Sequence, residues 1–187
     1  MHQTLVAFAA NKHSVPVRCV LELHSNMRLV GKRHPFKCEY SVGTKGGKLH
    51  AIDMQWYADA GAYVFDSAGA MDQGQTACDN AYYCPNWQVV STVCQTNTPS
   101  NTATRAPGCL PAVFIMETVM DHVAHELSVD PATFRHNNIY KKGQVTPTGM
   151  TLEYCSLDKL WSQFVNNIDY ANRLKAVQEY NSKNLWT

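Results

Sequence analysis

The sequence has no surplus of charge of either sign: sixteen Lys and Arg stand against fifteen Asp and Glu, leaving +1 over 187 residues. Binding to nucleic acid or to an anionic membrane needs a basic field, so neither is expected as a partner. No uninterrupted apolar run approaches the ~18 residues of a membrane-spanning helix. The opening Met1–Ala10 also lacks the cationic start and long apolar stretch of a secretory signal. No two of the seven cysteines have Cys-x-x-Cys spacing, which argues against a zinc or iron–sulfur site built from this segment alone. Their odd number and irregular spacing point to reduced thiols and a cytoplasmic setting rather than to a disulfide framework. There is no Gly-x-Ser-x-Gly elbow and no phosphate-cradling glycine loop, so hydrolase and nucleotide-binding chemistry have no foothold.

What is present is a globular composition, 45% hydrophobic and 17% charged, in a chain long enough for one domain or slightly more. An Ala-rich stretch over 3–12 reads as the tail of a helix. Val15, Val17, Cys19, Leu21 and Leu23 alternate with polar residues and predict a strand over 15–23. Phe36, Cys38, Tyr40 and Val42 repeat the alternation, Lys45-Gly-Gly-Lys48 supplies a turn, and 49–57 returns as the second arm of a hairpin. Residues 58–86 show little periodicity and read as loop and short helix. The β-branched run Trp87–Gln95 predicts a strand, and 96–108 is a loop of turn formers.

Beyond it the pattern becomes helical. Val113, Met116, Val119, Met120, Val123 and Leu127 define the buried face of a helix over about 111–127. Asp130-Pro131 caps and opens a second helix. Leu157, Leu160, Trp161, Phe164, Val165 and Ile168 give a third, and 170–180 a fourth, with their aromatic residues expected in the core. The fold class is therefore α+β, strands and a hairpin followed by helices.

Few residues point to chemistry on their own. His122 and His125 share a helix with Glu117 and Asp121, but a solvated helix face collects such residues without any metal, and no direct metal ligand is assigned. Cys109 precedes a helix start and reads as a small buried residue. Arg105 stands in a loop of small and kinked residues aimed at a helix N-terminus, where amides and a guanidinium can converge on an anionic ligand. The same loop also reads as a plain structural turn.

Several landmarks, taken in order, identify more. Val15–Leu21, Met27-Arg-Leu-Val-Gly-Lys-Arg-His-Pro-Phe36, Tyr40–Gly43, Tyr57-Ala-Asp-Ala-Gly61, Asp79-Asn-Ala-Tyr82, Thr96-Asn-Thr-Pro-Ser-Asn-Thr102, Arg135-His-Asn-Asn-Ile-Tyr140 and Thr151-Leu-Glu153 run through to a helical tail ending near Trp186. This series resembles the molybdopterin-binding region of the xanthine dehydrogenase/aldehyde oxidase family. The resemblance implies most of a first molybdopterin-binding domain over 1–150 and the start of a second over 151–187. It also implies that the family's glycine-rich cofactor loop lies before Met1 and its general-base glutamate beyond Thr187, so that no catalytic residue falls in this segment.

The family's enzymes use molybdenum–molybdopterin with two 2Fe–2S clusters and FAD, and hydroxylate an aldehyde or N-heterocycle with oxygen from water. Their electrons pass to oxygen or NAD. The resemblance implies partners in the rest of such a polypeptide and a homodimer. It matches Arg105 to the arginine of the family's Phe-Arg-Gly-Phe-Gly loop, which contacts the molybdenum cofactor; here that loop is Thr104-Arg-Ala-Pro-Gly108. Two substrate-pocket positions depart from the xanthine pattern: Gln73 replaces an arginine and Pro107 a phenylalanine. These departures favour an aldehyde-oxidase-like enzyme over a xanthine dehydrogenase with an altered pocket. The remaining alternative is a truncated, non-catalytic module.

Overall fold

In the computed structural model, which describes residues 2–184, three strands form one sheet with helices packed on one of its faces. In chain order the elements are α1 (His2–His13), α2 (Leu23–Leu29), β1 (Phe36–Lys45), β2 (Lys48–Gly61), α3 (Ser67–Gln75), β3 (Trp87–Gln95), α4 (Cys109–Glu126), α5 (Pro131–Asn138), α6 (Leu157–Asn167) and α7 (Tyr170–Lys183). β2 is central, antiparallel to β1 and parallel to β3. The turn between β1 and β2 places Gly46 and Gly47 at φ +60° and +73°, the left-handed pair that a tight hairpin demands.

The core follows from alternation on β2. Ile52, Met54, Trp56, Ala58 and Ala60 face inward, while Ala51, Asp53 and Gln55 face out. The pairing shifts register between Gly43 and Thr44, and this bulge brings Leu49 onto the same buried side. Against that face pack Met71 of α3, Met116, Val119 and Met120 of α4, and Phe134 of α5. Trp56 is fully buried; at ~25 cal/mol per Å2 its side chain alone contributes on the order of 4 kcal/mol. Asp130 caps α5 as expected, its Oδ2 accepting from the Thr133 amide at 2.8 Å.

Four sequence expectations need correction. Residues 15–22 form no strand: they have no ladder partner, Val15 and Val20 are exposed, and Leu23 begins α2. Alternation without a neighbouring strand leaves the amides unpaired. β2 runs on to Gly61, four residues past the predicted arm. On α4 the buried stripe is centred on Met116 and Met120 and includes Ala112 and Ala124, whereas Val113 and Leu127 are exposed. Finally, α6 and α7 bury no residue, and Leu160, Phe164 and Tyr180 are open to solvent. The two helices engage at their edges: Trp161 of α6 stacks on His136 at 5.8 Å, His136 Nε2 meets Asp158 Oδ1 at 2.8 Å, and Tyr170 of α7 donates to Asp130 Oδ1 at 3.1 Å. Trp186 lies outside the described residues.

Candidate functional site

The 104–108 loop enters α4, and elements far apart in sequence hold it in place. Gly108, the residue before the first turn of α4, lies against α3 so closely that a Cβ there would come within 2.1 Å of the Ala70 carbonyl oxygen and 2.2 Å of the Gly74 nitrogen. Its amide donates to Gln73 Oε1 at 3.0 Å. From the other side, Arg33 donates through Nη2 to the Arg105 carbonyl at 2.6 Å and through Nη1 to the Ala106 carbonyl at 2.9 Å. Between these contacts Ala106 adopts φ +49°, which costs a non-glycine residue about 1 kcal/mol or more and which the following Pro107 does nothing to favour.

Arg33 is itself fixed by its neighbours. His34 is buried, with Nε2 2.8 Å from Ser67 Oγ at the start of α3. Burial holds its imidazole below the ordinary histidine range, with Asp66 and Asp59 opposing in part. The Lys32 carbonyl accepts from the Thr102 amide at 2.9 Å, and Gly31 lies against Ser100, where a Cβ would sit 2.6 Å from the carbonyl oxygen.

The polar run 96–102 is strapped to the end of β2. Asp59 Oδ1 accepts from Thr96 Oγ1 at 2.6 Å and from the Gly61 amide at 2.8 Å. Buried Asn101 donates to the Asp59 carbonyl at 2.8 Å. The bond from the Thr96 hydroxyl and, after it, the one from the Gly61 amide hold the Asp59 carboxyl below the usual aspartate range. Between this strap and the 31–35 segment opens a cleft of about 780 Å3, bordered by Arg28, Arg33, Asp59 and Phe65.

The structure thus brings Gln73 of α3 against Gly108, the end of the loop that carries Arg105 and Pro107. Arg105 is exposed, and its guanidinium makes no hydrogen bond or ion pair among the described residues. Beside it, Thr104 Oγ1 is shut away from water without a partner. A free fork of N–H donors next to an unsatisfied buried hydroxyl fits an acceptor-rich, anionic group such as the molybdenum cofactor. Pro107 is half-buried. Of the candidates discounted in the sequence, the two histidines lie elsewhere: His122 stacks on Tyr40 and bonds its hydroxyl, and His125 is exposed beside Glu126, whereas Cys109 directly follows Gly108 at the start of α4 and is half-buried rather than buried. The described residues hold no cluster of three or more His, Cys, Asp or Glu able to bind a metal. Arg33 and Asp59 went unassigned in the sequence. Both lie inside resemblance landmarks, but no spacing rule links position 33 to 105.

Residues 1–139 match the molybdopterin cofactor-binding domain family. Aldehyde oxidase 1 of Bos taurus is 36% identical over 183 residues, which cover 97% of this chain and 14% of the relative. Xanthine dehydrogenase/oxidase of Gallus gallus is 35% identical over 184 residues, covering 98% and 14%. Among solved structures, an aldehyde oxidoreductase from Desulfovibrio gigas superposes with a TM-score of 0.72 at 29% identity, over 80% of this chain and 16% of that one. The chain belongs to the molybdopterin cofactor-binding domain family, and its relatives are the molybdenum hydroxylases of the xanthine dehydrogenase/aldehyde oxidase group. It spans about 14% of the length of the curated relatives it matches. No helix among the described residues is long and apolar enough to cross a membrane.

Proposed function

We propose that this protein works as an aldehyde-oxidase-like molybdenum hydroxylase, converting aldehydes or N-heterocycles to hydroxylated products with oxygen from water. When bound, the molybdenum cofactor supplies the two-electron oxidising chemistry. This chain's own part is to hold and orient. Arg105 contacts the cofactor's anionic periphery, and Gln73 and Pro107 border the substrate pocket. Residues 1–150 act as the first molybdopterin-binding domain and 151–187 begin a second. What supports the division is that α6 and α7, beyond the boundary, bury no residue. Electrons leave through two 2Fe–2S clusters and FAD to oxygen or NAD, in a cytoplasmic homodimer whose other domains complete the site.

The observation that carries this reading is the uncommitted Arg105 guanidinium beside the partnerless Thr104 hydroxyl. Overall identity does not separate aldehyde oxidase from xanthine dehydrogenase, at 36% and 35%. The pocket residues favour the aldehyde oxidase: neither Gln73 nor Pro107 offers what a purine needs. The test is molybdenum content by metal analysis of the complete polypeptide and its Arg105→Met variant. A several-fold loss of bound molybdenum in the variant is expected, and equal content in both would overturn the assignment of Arg105. The 187-residue chain purified alone should retain no stoichiometric molybdenum.

A further inference from the structure

Three features suggest a role for Gln73 other than touching substrate. Its amide oxygen is already engaged by the Gly108 amide at 3.0 Å. Gly108 is the N-cap of α4 and, having no side chain, cannot cap the helix itself, so the bond from Gln73 fastens a point where the helix provides no side-chain cap. Opposite, Arg33 grips the carbonyls of Arg105 and Ala106 with two N–H donors of one planar group, spanning the left-handed turn at Ala106. The two arms are not independent: the residue after Arg33 is bonded to Ser67, the first residue of the helix that carries Gln73. The loop is thus held from both sides by one connected frame.

We propose that Gln73 and Arg33 are positioning residues, a two-sided clamp on the 105–108 loop that sets the direction in which Arg105 presents its guanidinium. Gln73, at the border of the pocket, exerts this effect through the Gly108 amide it accepts from. The inference rests on the reading of Arg105 as the cofactor contact, which gives the clamp its purpose, but the clamp is testable without any cofactor. The chemistry at position 73 is specific. An acceptor is required, so glutamate can serve, whereas leucine has no polar atom and arginine has donors only. An arginine at 73 would therefore release the loop it is meant to complement.

The experiment is amide hydrogen exchange by NMR on the 187-residue chain and its variants. In Gln73→Leu and Gln73→Arg the Gly108 amide is expected to exchange about tenfold faster, while the Met54 amide of central β2 stays protected. In Gln73→Glu the Gly108 amide stays within about twofold of the parent, a rescue that a merely space-filling role would not give. A second measurement addresses Arg33: tryptic cleavage between Arg105 and Ala106 should be about tenfold faster in Arg33→Gln, with cleavage unchanged at every other Lys and Arg site that parent and variant share. Unaltered Gly108 exchange in Gln73→Leu, or equal acceleration in Gln73→Glu, overturns the proposal. Loss of protection at Met54 in step with Gly108 also counts against a local clamp. None of these outcomes depends on molybdenum, so they are separable from the Arg105→Met metal analysis, which tests the functional reading itself.

Discussion

Gly108 and Gly74 meet backbone to backbone where α4 starts against the end of α3, with no room between them for a single added carbon. A Cβ on Gly108 would lie 2.2 Å from the Gly74 nitrogen, and the obstacles are main-chain atoms that cannot rotate away. Gly108→Ala is therefore expected to destabilise the chain by about 3 kcal/mol, through overpacking that pushes the two helices apart. Urea unfolding checks this; a change below ~0.5 kcal/mol would show that the helices do not meet as closely as described.

The strap on the 96–102 loop predicts a pH dependence. Hydrogen bonds from Thr96 and Gly61 lower the folded-state pKa of Asp59 below its unfolded value. Between those two values the unfolded chain binds more protons, so stability rises with pH there. The contribution is complete above the ordinary aspartate pKa and is lost as pH falls through the depressed one. Asp59→Asn should flatten this part of the stability–pH profile below about pH 4. An acid limb identical in parent and variant would contradict the role assigned to Asp59.

The parts of the fold legible in sequence are those where local chemistry and packing agree. The Lys45–Lys48 turn, the Asp130 cap and the Met116/Met120 stripe each follow from short-range rules and appear as expected. Residues 15–23 do not, because alternation reports only that a strand could be half-buried and cannot supply the neighbour it needs. The α6 stripe is amphipathic, yet nothing among the described residues covers Phe164. The site is legible only in part. Arg105 and Pro107 stand in a recognisable loop, but the reach from Arg33 to Arg105 and the left-handed turn at Ala106 are products of the assembled fold.

Thiol reactivity should follow burial. All seven cysteines are unpaired. Burial pushes the Cys78 thiol up to about 12 and Cys38 to about 11, and Cys84 is raised by the same cause. Because the thiolate is the reactive form, Cys19, which is exposed, should label first in the native protein, with Cys78 and Cys84 at least about a hundredfold slower. Denatured without reductant, the chain should titrate seven thiols. Equal rates for Cys19 and Cys78, or two thiols missing, would contradict the burial pattern or the reduced state.

Substrate preference in the complete, metal-loaded enzyme tests the central claim most directly. A purine accumulates negative charge as oxygen adds to it, and a guanidinium aimed at that charge is worth on the order of 3 kcal/mol, roughly a hundredfold in rate. Gln73 is neutral, and its oxygen is committed to Gly108. Pro107 offers no aromatic face for a flat ring, while an aldehyde needs neither contact. Measured on one preparation, kcat/KM for benzaldehyde should exceed that for xanthine by about a hundredfold or more, and Gln73→Arg alone should not reverse the order. A higher kcat/KM for xanthine in the parent enzyme would contradict the account and assign the chain to a xanthine dehydrogenase.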